Sequence, residues 1–173
     1  KGEKDHISKL IKESNLQSHK LELRDGLAMI NGTACMTALS TINIINSKIL
    51  IKWSVKIAAM MLEIFGSYDD YISKELNQVK FHKGQNDIAL RIRKILENSN
   101  LITNRYSSDD KNFQEFYSIR CTPQVLGPIL DTIKFSELVV ENEINSVDDN
   151  PIVDVDNQKI MHGGNFHGDY ISL

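Results

Sequence analysis

Two cysteines, Cys35 and Cys121, are too few and too far apart for a disulfide framework or a thiolate metal site. Both are expected as buried or partly buried thiols. The histidines, His6, His19, His82, His162 and His167, show no metal-ligand spacing, which argues against a bound metal. A net charge of −3 with scattered basic residues lacks the footprint of a nucleic-acid binder and any general pull toward anionic membrane. No secretory signal opens the chain: Lys1-Gly2-Glu3-Lys4-Asp5 is polar and no apolar core segment comes after it, so cytoplasm is the expected compartment. Charge itself is missing from Gly26 to Ser47, which raises the question of a membrane span. Asn31, Thr33, Thr37, Ser40, Thr41, Asn43 and Asn46 interrupt that stretch, and such groups are costly in lipid. The expectation is a helix buried in a large soluble assembly, with no membrane partner. Internal repeats and low-complexity tracts are absent as well.

What is present is ordinary globular composition, 41% hydrophobic and 25% charged over 173 residues. Ile7, Leu10 and Ile11 predict a short surface helix over Asp5 to Asn15. The longest element is a helix from Ala34 to Ile64, ending near Gly66-Ser67. Its apolar residues at threes and fours are Ala34, Ala38, Leu39, Ile42, Ile45, Ile49, Trp53, Ile57, Met60, Met61 and Ile64. Helical patterns also run through Tyr68 to Val79 and Gln85 to Asn98, the latter with Ile88, Ile92, Ile95 and Leu96 inward. Asn98 to Lys111 is rich in Asn, Ser and Asp and reads as a surface loop. Thr122 as a cap and Pro123 in the first turn open a further helix to about Asn142. Beyond it, Pro151 to Val155 could pair with Lys159 to Met161 across Asp156-Asn157-Gln158. The expected fold class is all-α: a long-helix bundle with a short hairpin-like, turn-rich C-terminal segment.

Candidate chemistry concentrates between Phe113 and Gly127, where Gln114, Tyr117 and Arg120 recur at three-residue intervals. On one helix face an amide, a phenol and a guanidinium would converge before Thr122-Pro123, making a carboxylate-binding wall. The plainer alternative is an ordinary solvated or interfacial helix face. Three further segments stand in order with it: Asp25 to Thr33 (Asp-Gly-Leu-Ala-Met-Ile-Asn-Gly-Thr), Asn145 to Pro151 (Asn-Ser-Val-Asp-Asp-Asn-Pro) and His162 to Gly168 (His-Gly-Gly-Asn-Phe-His-Gly). A looser fifth segment runs from Phe81-His82-Lys83-Gly84-Gln85 to Leu96-Glu97-Asn98-Ser99.

In that order the segments resemble the aromatic amino acid ammonia-lyase superfamily, the histidine, phenylalanine and tyrosine ammonia-lyases and related aminomutases, over nearly the whole chain. The resemblance implies elimination of ammonia from an L-aromatic amino acid to the trans-unsaturated acid. It also implies a methylidene-imidazolone electrophile made from an Ala-Ser-Gly tripeptide, and a homotetrameric parent. No Ala-Ser-Gly occurs in this sequence. Since the family places that tripeptide and its catalytic tyrosine upstream of Asn31-Gly32-Thr33, the chain reads as a single partial domain, an internal fragment of a longer helical lyase. The fragment alone is expected to be inactive.

Arg120 has the fork of donors that fits a carboxylate bidentately; alternatively it is a helix-terminal arginine paired with Glu115 or Glu143. Asn31 would donate its amide to the electrophile's carbonyl, although Asn-Gly alone is usually only a turn. Tyr117 can donate to the same region, and Gln114 would orient the carboxylate or prosthetic group. Asn150, extended by Pro151, could reach the substrate carboxylate or simply close an Asx turn. Phe166, after two glycines, would meet the aromatic ring or plug a loop. His162 and His167 mix the patterns of different family members and leave the choice among histidine, tyrosine and phenylalanine open. The alternatives to a lyase are an aromatic aminomutase and a non-catalytic helical assembly module lacking the electrophile.

Overall fold

The computed structural model describes residues 6–107 and 114–172. Lys1 to Asp5, which the short-helix expectation touched, and 108–111 of the expected surface loop lie outside the described residues, as does Phe113. Helices dominate: α1 (Ile7–Glu13), α2 (Asp25–Asn31), α3 (Ala34–Ile64), α4 (Lys74–Gln78), α5 (Lys83–Ile95), α6 (Tyr117–Arg120), α7 (Thr122–Ile144) and α8 (Asp169–Ser172), with a 3-10 turn at Asp69–Ile72. One antiparallel hairpin, β1 (Ile152–Asp154) and β2 (Lys159–Met161), pairs Ile152 with Met161, Val153 with Ile160 and Asp154 with Lys159. The expected all-α long-helix fold with a small C-terminal hairpin is what forms.

The chain divides into two compact units, one of Lys1–Ala34 with Val147–His167, the other of Cys35–Ser146 with Gly168–Leu173. The first holds α1, α2 and the hairpin. Asp25 to Asn31 is helical, opened by Arg24 at φ 74 and ended by Gly32. Arg24 is fixed from outside its neighbourhood: its Nη2 donates to Asp149 Oδ1 at 2.9 Å and Oδ2 at 3.0 Å. A long-range ion pair therefore holds the left-handed residue that starts the helix.

In the second unit α3 ends as its glycine demands. Gly66 takes φ 57, Ser67 N donates to Leu62 O at 2.9 Å and Gly66 N to Glu63 O at 3.0 Å, which satisfies the last carbonyls in a Schellman turn. The core joins Ile51, Val55, Ala59 and Leu62 of α3 to Tyr68, Tyr71 and Ile72, to Ile88, Ile92 and Leu96, and to Leu130 of α7. Ile88 and Ile92 are 0% exposed, as their inward assignment requires, but Ile95 faces out at 50%. The expected second helix from Tyr68 to Val79 is broken. Ser73 interrupts it and caps α4, its Oγ accepting from Leu76 N at 3.2 Å. Buried Asn77 then bridges inward, donating to Tyr71 O at 3.2 Å and accepting from Gln85 Nε2 at 3.0 Å.

Only one side of α3 is covered within the unit. Of the stripe that periodicity picks out, Leu39, Ile42, Ile45, Ile49, Trp53, Ile57, Met60 and Ile64 are exposed and Met61 is partly buried, while the core takes the neighbouring set. A helix apolar nearly all round carries no periodic signal for which face has a partner. By length and composition alone the stretch Asp25–Ile64 is apolar enough to cross a membrane. Lys48, Lys52, Lys56 and Glu63 lie along its second half. Cys35 is exposed rather than buried, because it stands on the uncovered first turns of α3. Cys121 is partly buried, as expected.

α5 packs along α7 through two mutually close glycines, Gly84 and Gly127, and Gly84 N donates to Asp131 Oδ2 at 3.0 Å. Asp87 strengthens the contact, accepting from Arg91 Nε at 3.1 Å and Lys134 Nζ at 2.9 Å. Burial opposes the Asp87 charge, yet hydrogen bonds from Arg91 and Lys134 outweigh it and hold the carboxyl below its ordinary range.

Candidate active site

The segment carrying Gln114, Tyr117 and Arg120 is positioned by the turn after α3. Thr103 binds that turn, its N–H donating to Ser67 O at 2.9 Å and its hydroxyl to Gly66 O at 2.7 Å. Glu115, 8% exposed, then accepts the Tyr68 N–H on Oε1 at 3.2 Å. Phe116 meets Phe65 edge to face at 6.0 Å. These contacts bring the start of α6 against the end of α3.

The expected single helix face does not form. α6 is one turn, Tyr117–Arg120, and Gln114 precedes it outside the helix, where the Glu115 and Phe116 contacts tie the chain to Tyr68 and Phe65. The three side chains converge all the same, around the guanidinium. With the Gln114 amide turned so that its oxygen faces Arg120, Oε1 accepts from Nη2 at 2.9 Å and also from Nη1. The Arg120 Cζ lies 5.8 Å from the Tyr117 ring centroid, within cation–π range. Thr122 does not cap the next helix. Cys121 takes the cap position, and Thr122 Oγ1 donates back to Ser118 O and Ile119 O, both at 2.9 Å, so α6 runs into α7.

Arg120 and Gln114 line an open cavity of about 850 Å³ with Asp70, Tyr71, Arg105, Cys121 and Gln124. Two buried polar atoms here have no hydrogen-bond partner among the described residues, Arg120 Nε and Gln124 Oε1. Burial and then the negative Glu115 push the Tyr71 phenol up, so it stays a neutral donor. Arg105 Nε pairs with Asp70 Oδ2 at 3.3 Å and its guanidinium stacks on the Tyr68 ring at 4.6 Å. Arg120 is paired to no carboxylate among the described residues. Chemically the wall offers a planar cation with an amide and a phenol beside it, a setting for one carboxylate.

Asn31, Asn150 and Phe166 lie on the other unit. Asn31 is the exposed last residue of α2. Its turn is held two residues on, where Asp148 Oδ2 accepts both the N–H and the hydroxyl of Thr33, each at 2.8 Å. Asn150 spends its oxygen on the Gly163 N–H at 2.8 Å, which closes the Gly-Gly loop and leaves its NH2 to donate. Phe166, partly buried, stacks on His167 at 5.1 Å and 25°. Sequence patterns alone assign no role to Arg24, Asp148 or Gln124, and offer Glu115 only as an alternative partner of Arg120, whereas it accepts the Tyr68 N–H. Arg24 and Asp149 are 125 residues apart, and no local pattern announces such a pair. Among the described residues no group of three or more His, Cys, Asp or Glu side chains is placed to hold a metal ion.

Comparison with solved structures gives the class first: this is the helical fold of ammonia-lyases and aminomutases. The phenylalanine aminomutase of Pantoea agglomerans superposes with TM-score 0.81 at 30% identity, covering 95% of this chain and 35% of that one. Histidine ammonia-lyase from Trypanosoma cruzi superposes with TM-score 0.77 at 30% identity, covering 95% of this chain and 30% of that one. In sequence, histidine ammonia-lyase of Myxococcus xanthus is 38% identical over 173 residues, 99% of this chain and 34% of its own length. The chain therefore spans about a third of the length of the curated relatives it matches. The family model for aromatic amino acid lyases matches residues 1–173, and the chain belongs to that family.

Proposed function

We propose that the protein carrying this chain eliminates ammonia from an L-aromatic amino acid, L-histidine before tyrosine or phenylalanine, giving the trans-unsaturated acid. The observation that carries the reading is Arg120: a partly buried guanidinium with no carboxylate partner among the described residues, aimed with Gln114 into an open cavity. A charge removed from water without a counter-ion is unfavourable, so a substrate carboxylate is its natural complement. The histidine ammonia-lyases among the relatives support the choice of substrate. Aminomutases among the similar structures support a second outcome, return of ammonia to the β-carbon.

In this family a methylidene-imidazolone supplies the electrophile. Its Ala-Ser-Gly precursor does not occur in residues 1–173, so these residues do not form the group. The donors present suit a neighbour of that kind: the exposed Asn31 amide and the exposed Tyr117 phenol can each donate to a carbonyl oxygen. Arg120 binds the carboxylate and Gln114 orients its guanidinium; on the other unit the Asn150 NH2 is a further donor and Phe166 offers a ring face. Binding through Arg120 fixes the amino acid; fixing it contributes to rate only when a base and an electrophile are also in place.

The test is an ultraviolet assay of the full-length protein with L-histidine, L-tyrosine and L-phenylalanine supplied separately. Urocanate from L-histidine is the expected product, and the 173-residue chain alone is expected to yield none. Silence with all three, with no β-amino acid in the mixture, overturns the reading in favour of an assembly role.

The outward stripe of α3 belongs to the same proposal. Eight large apolar side chains left exposed on one helix exceed what a monomer ordinarily presents. The full-length protein is expected to be a homotetramer by light scattering, and the double substitution Trp53→Glu, Ile57→Glu is expected to lower its mass. A monodisperse parent monomer would remove the oligomer from the proposal.

A further inference from the structure

We propose that Asp148 is a positioning residue for Asn31, an inference that rests on the functional reading above. Asn31 ends α2 with its side chain exposed, so neither burial nor helix packing sets where its amide points. The two residues after it are firmly held. Gly32 has no room for a side chain: a Cβ there would lie 2.8 Å from Ala28 O. Thr33, 2% exposed, gives both its donors, N–H and hydroxyl, to the single oxygen Asp148 Oδ2 at 2.8 Å each. Two charge-assisted bonds onto one atom fix that residue in position and in rotation about the chain. The C-terminal end of α2, and with it Asn31, is held from one side.

Asp148 and its two neighbours hold further points of the unit. Asp149 grips Arg24 at the opposite end of α2, and Asn150 Oδ1 takes the Gly163 N–H. Asp148-Asp149-Asn150 thus clamps α2 at both ends and carries Asn150 in the same frame. Asn31 and Asn150, one offered to the electrophile side and one to the carboxylate, are set against each other by adjacent side chains rather than by a core. A misplacement of about 1 Å in such a pair costs about a hundredfold in rate.

Asp148→Leu in the full-length protein is expected to lower kcat about thirtyfold with KM within about twofold. Asp148→Asn, which keeps an acceptor oxygen in the same place, is expected to stay within about threefold of the parent. The deciding arm is a double-mutant cycle: in an Asn31→Ala background Asp148→Leu is expected to lose less than about threefold more, because it acts through Asn31. A full thirtyfold loss in that background, or no loss in the single variant, overturns the inference. Thr33→Val, removing only the hydroxyl donor, is expected to show the same non-additive pattern at about threefold amplitude and stands in should Asp148→Leu fail to fold.

Hydrogen exchange supplies a readout independent of turnover. The Thr33 amide is expected to exchange at least about tenfold faster in Asp148→Leu, with amides around Ile88 and Leu130 unchanged. Unaltered Thr33 exchange overturns the inference. Should the parent deaminate no aromatic amino acid, the functional reading falls, and the exchange arm alone decides whether Asp148 holds the turn.

Discussion

Arg120→Gln in the full-length protein is expected to raise KM for the amino-acid substrate about a hundredfold or more. The guanidinium is already prepared for a carboxylate: it is partly buried, Gln114 Oε1 takes one face of the fork through Nη2 and Nη1, and the Tyr117 ring lies 5.8 Å from Cζ. Removing one partner of a desolvated, hydrogen-bonded charge pair costs about 2–5 kcal/mol, which is roughly thirtyfold to several thousandfold in affinity. Arg120→Lys keeps the charge but not the planar fork, and the lost second bond leaves it short of the parent by about tenfold or more. The check is KM from initial rates together with calorimetric affinity for the deaminated acid, which shares the carboxylate and lacks the amine. Parallel losses for both ligands place the effect on the carboxylate. Near-parental values for Arg120→Gln would return Arg120 to the plainer role of a helix-terminal surface arginine.

Arg120 also shows how far sequence carries and where it stops. The three-residue spacing of Gln114, Tyr117 and Arg120 correctly brings three side chains together, but through the wrong geometry. Only Tyr117–Arg120 is helical in that stretch, and Gln114 reaches the guanidinium from outside the helix because Glu115 and Phe116 are drawn to Tyr68 and Phe65. Those partners lie far back along the chain, 47 residues away for Tyr68, and periodicity cannot see them. Elements whose cause is local are legible to within a residue or two: the Gly66 stop of α3, Pro123 in the first turn of α7, the hairpin at Ile152 and Met161.

Elements whose cause is tertiary are not. Within the charge-free run from Gly26 to Ser47 the turn residues Asn31-Gly32 are legible, but not what holds the turn: Asp148, 115 residues from Thr33. The periodic stripe of α3 is visible in sequence, but the face that the unit's own core takes, that of Ile51, Val55, Ala59 and Leu62, is not. A face that awaits another surface looks, in sequence, like a face that already has one. α5 is legible because its two faces differ sharply in polarity, and Ile88 and Ile92 go where their neighbours Arg91 and Arg93 cannot.

The second large effect is expected at a residue that sequence places only in a loose motif. Gly84→Ala is expected to destabilise the protein by about 3 kcal/mol, the upper end of overpacking. A Cβ there would sit 2.1 Å from Gly127 O and 2.7 Å from Asp131 Cγ, and a Cβ on Gly127 would meet Gln85 N at 2.6 Å in return. The Asp131 side chain can swing away, at the loss of its bond from Gly84 N, but the Gly127 carbonyl is backbone within α7. No rotamer change relieves that contact, so α5 and α7 must part where Ile88 and Leu130 are packed. For a domain of this size about 3 kcal/mol is a fall of roughly 6–12 °C in Tm. Gly26→Ala is the control: nothing lies within 4 Å of its Cβ in α2, and alanine there should leave Tm level or raise it slightly. Thermal unfolding by circular dichroism separates the two, and a Gly84→Ala Tm within about 2 °C of the parent would show that the crossing is loose. Since α7 begins two residues after Arg120, and Gln124 on its first turn lines the same cavity, a displaced α7 should also weaken carboxylate binding at temperatures where the variant is still folded.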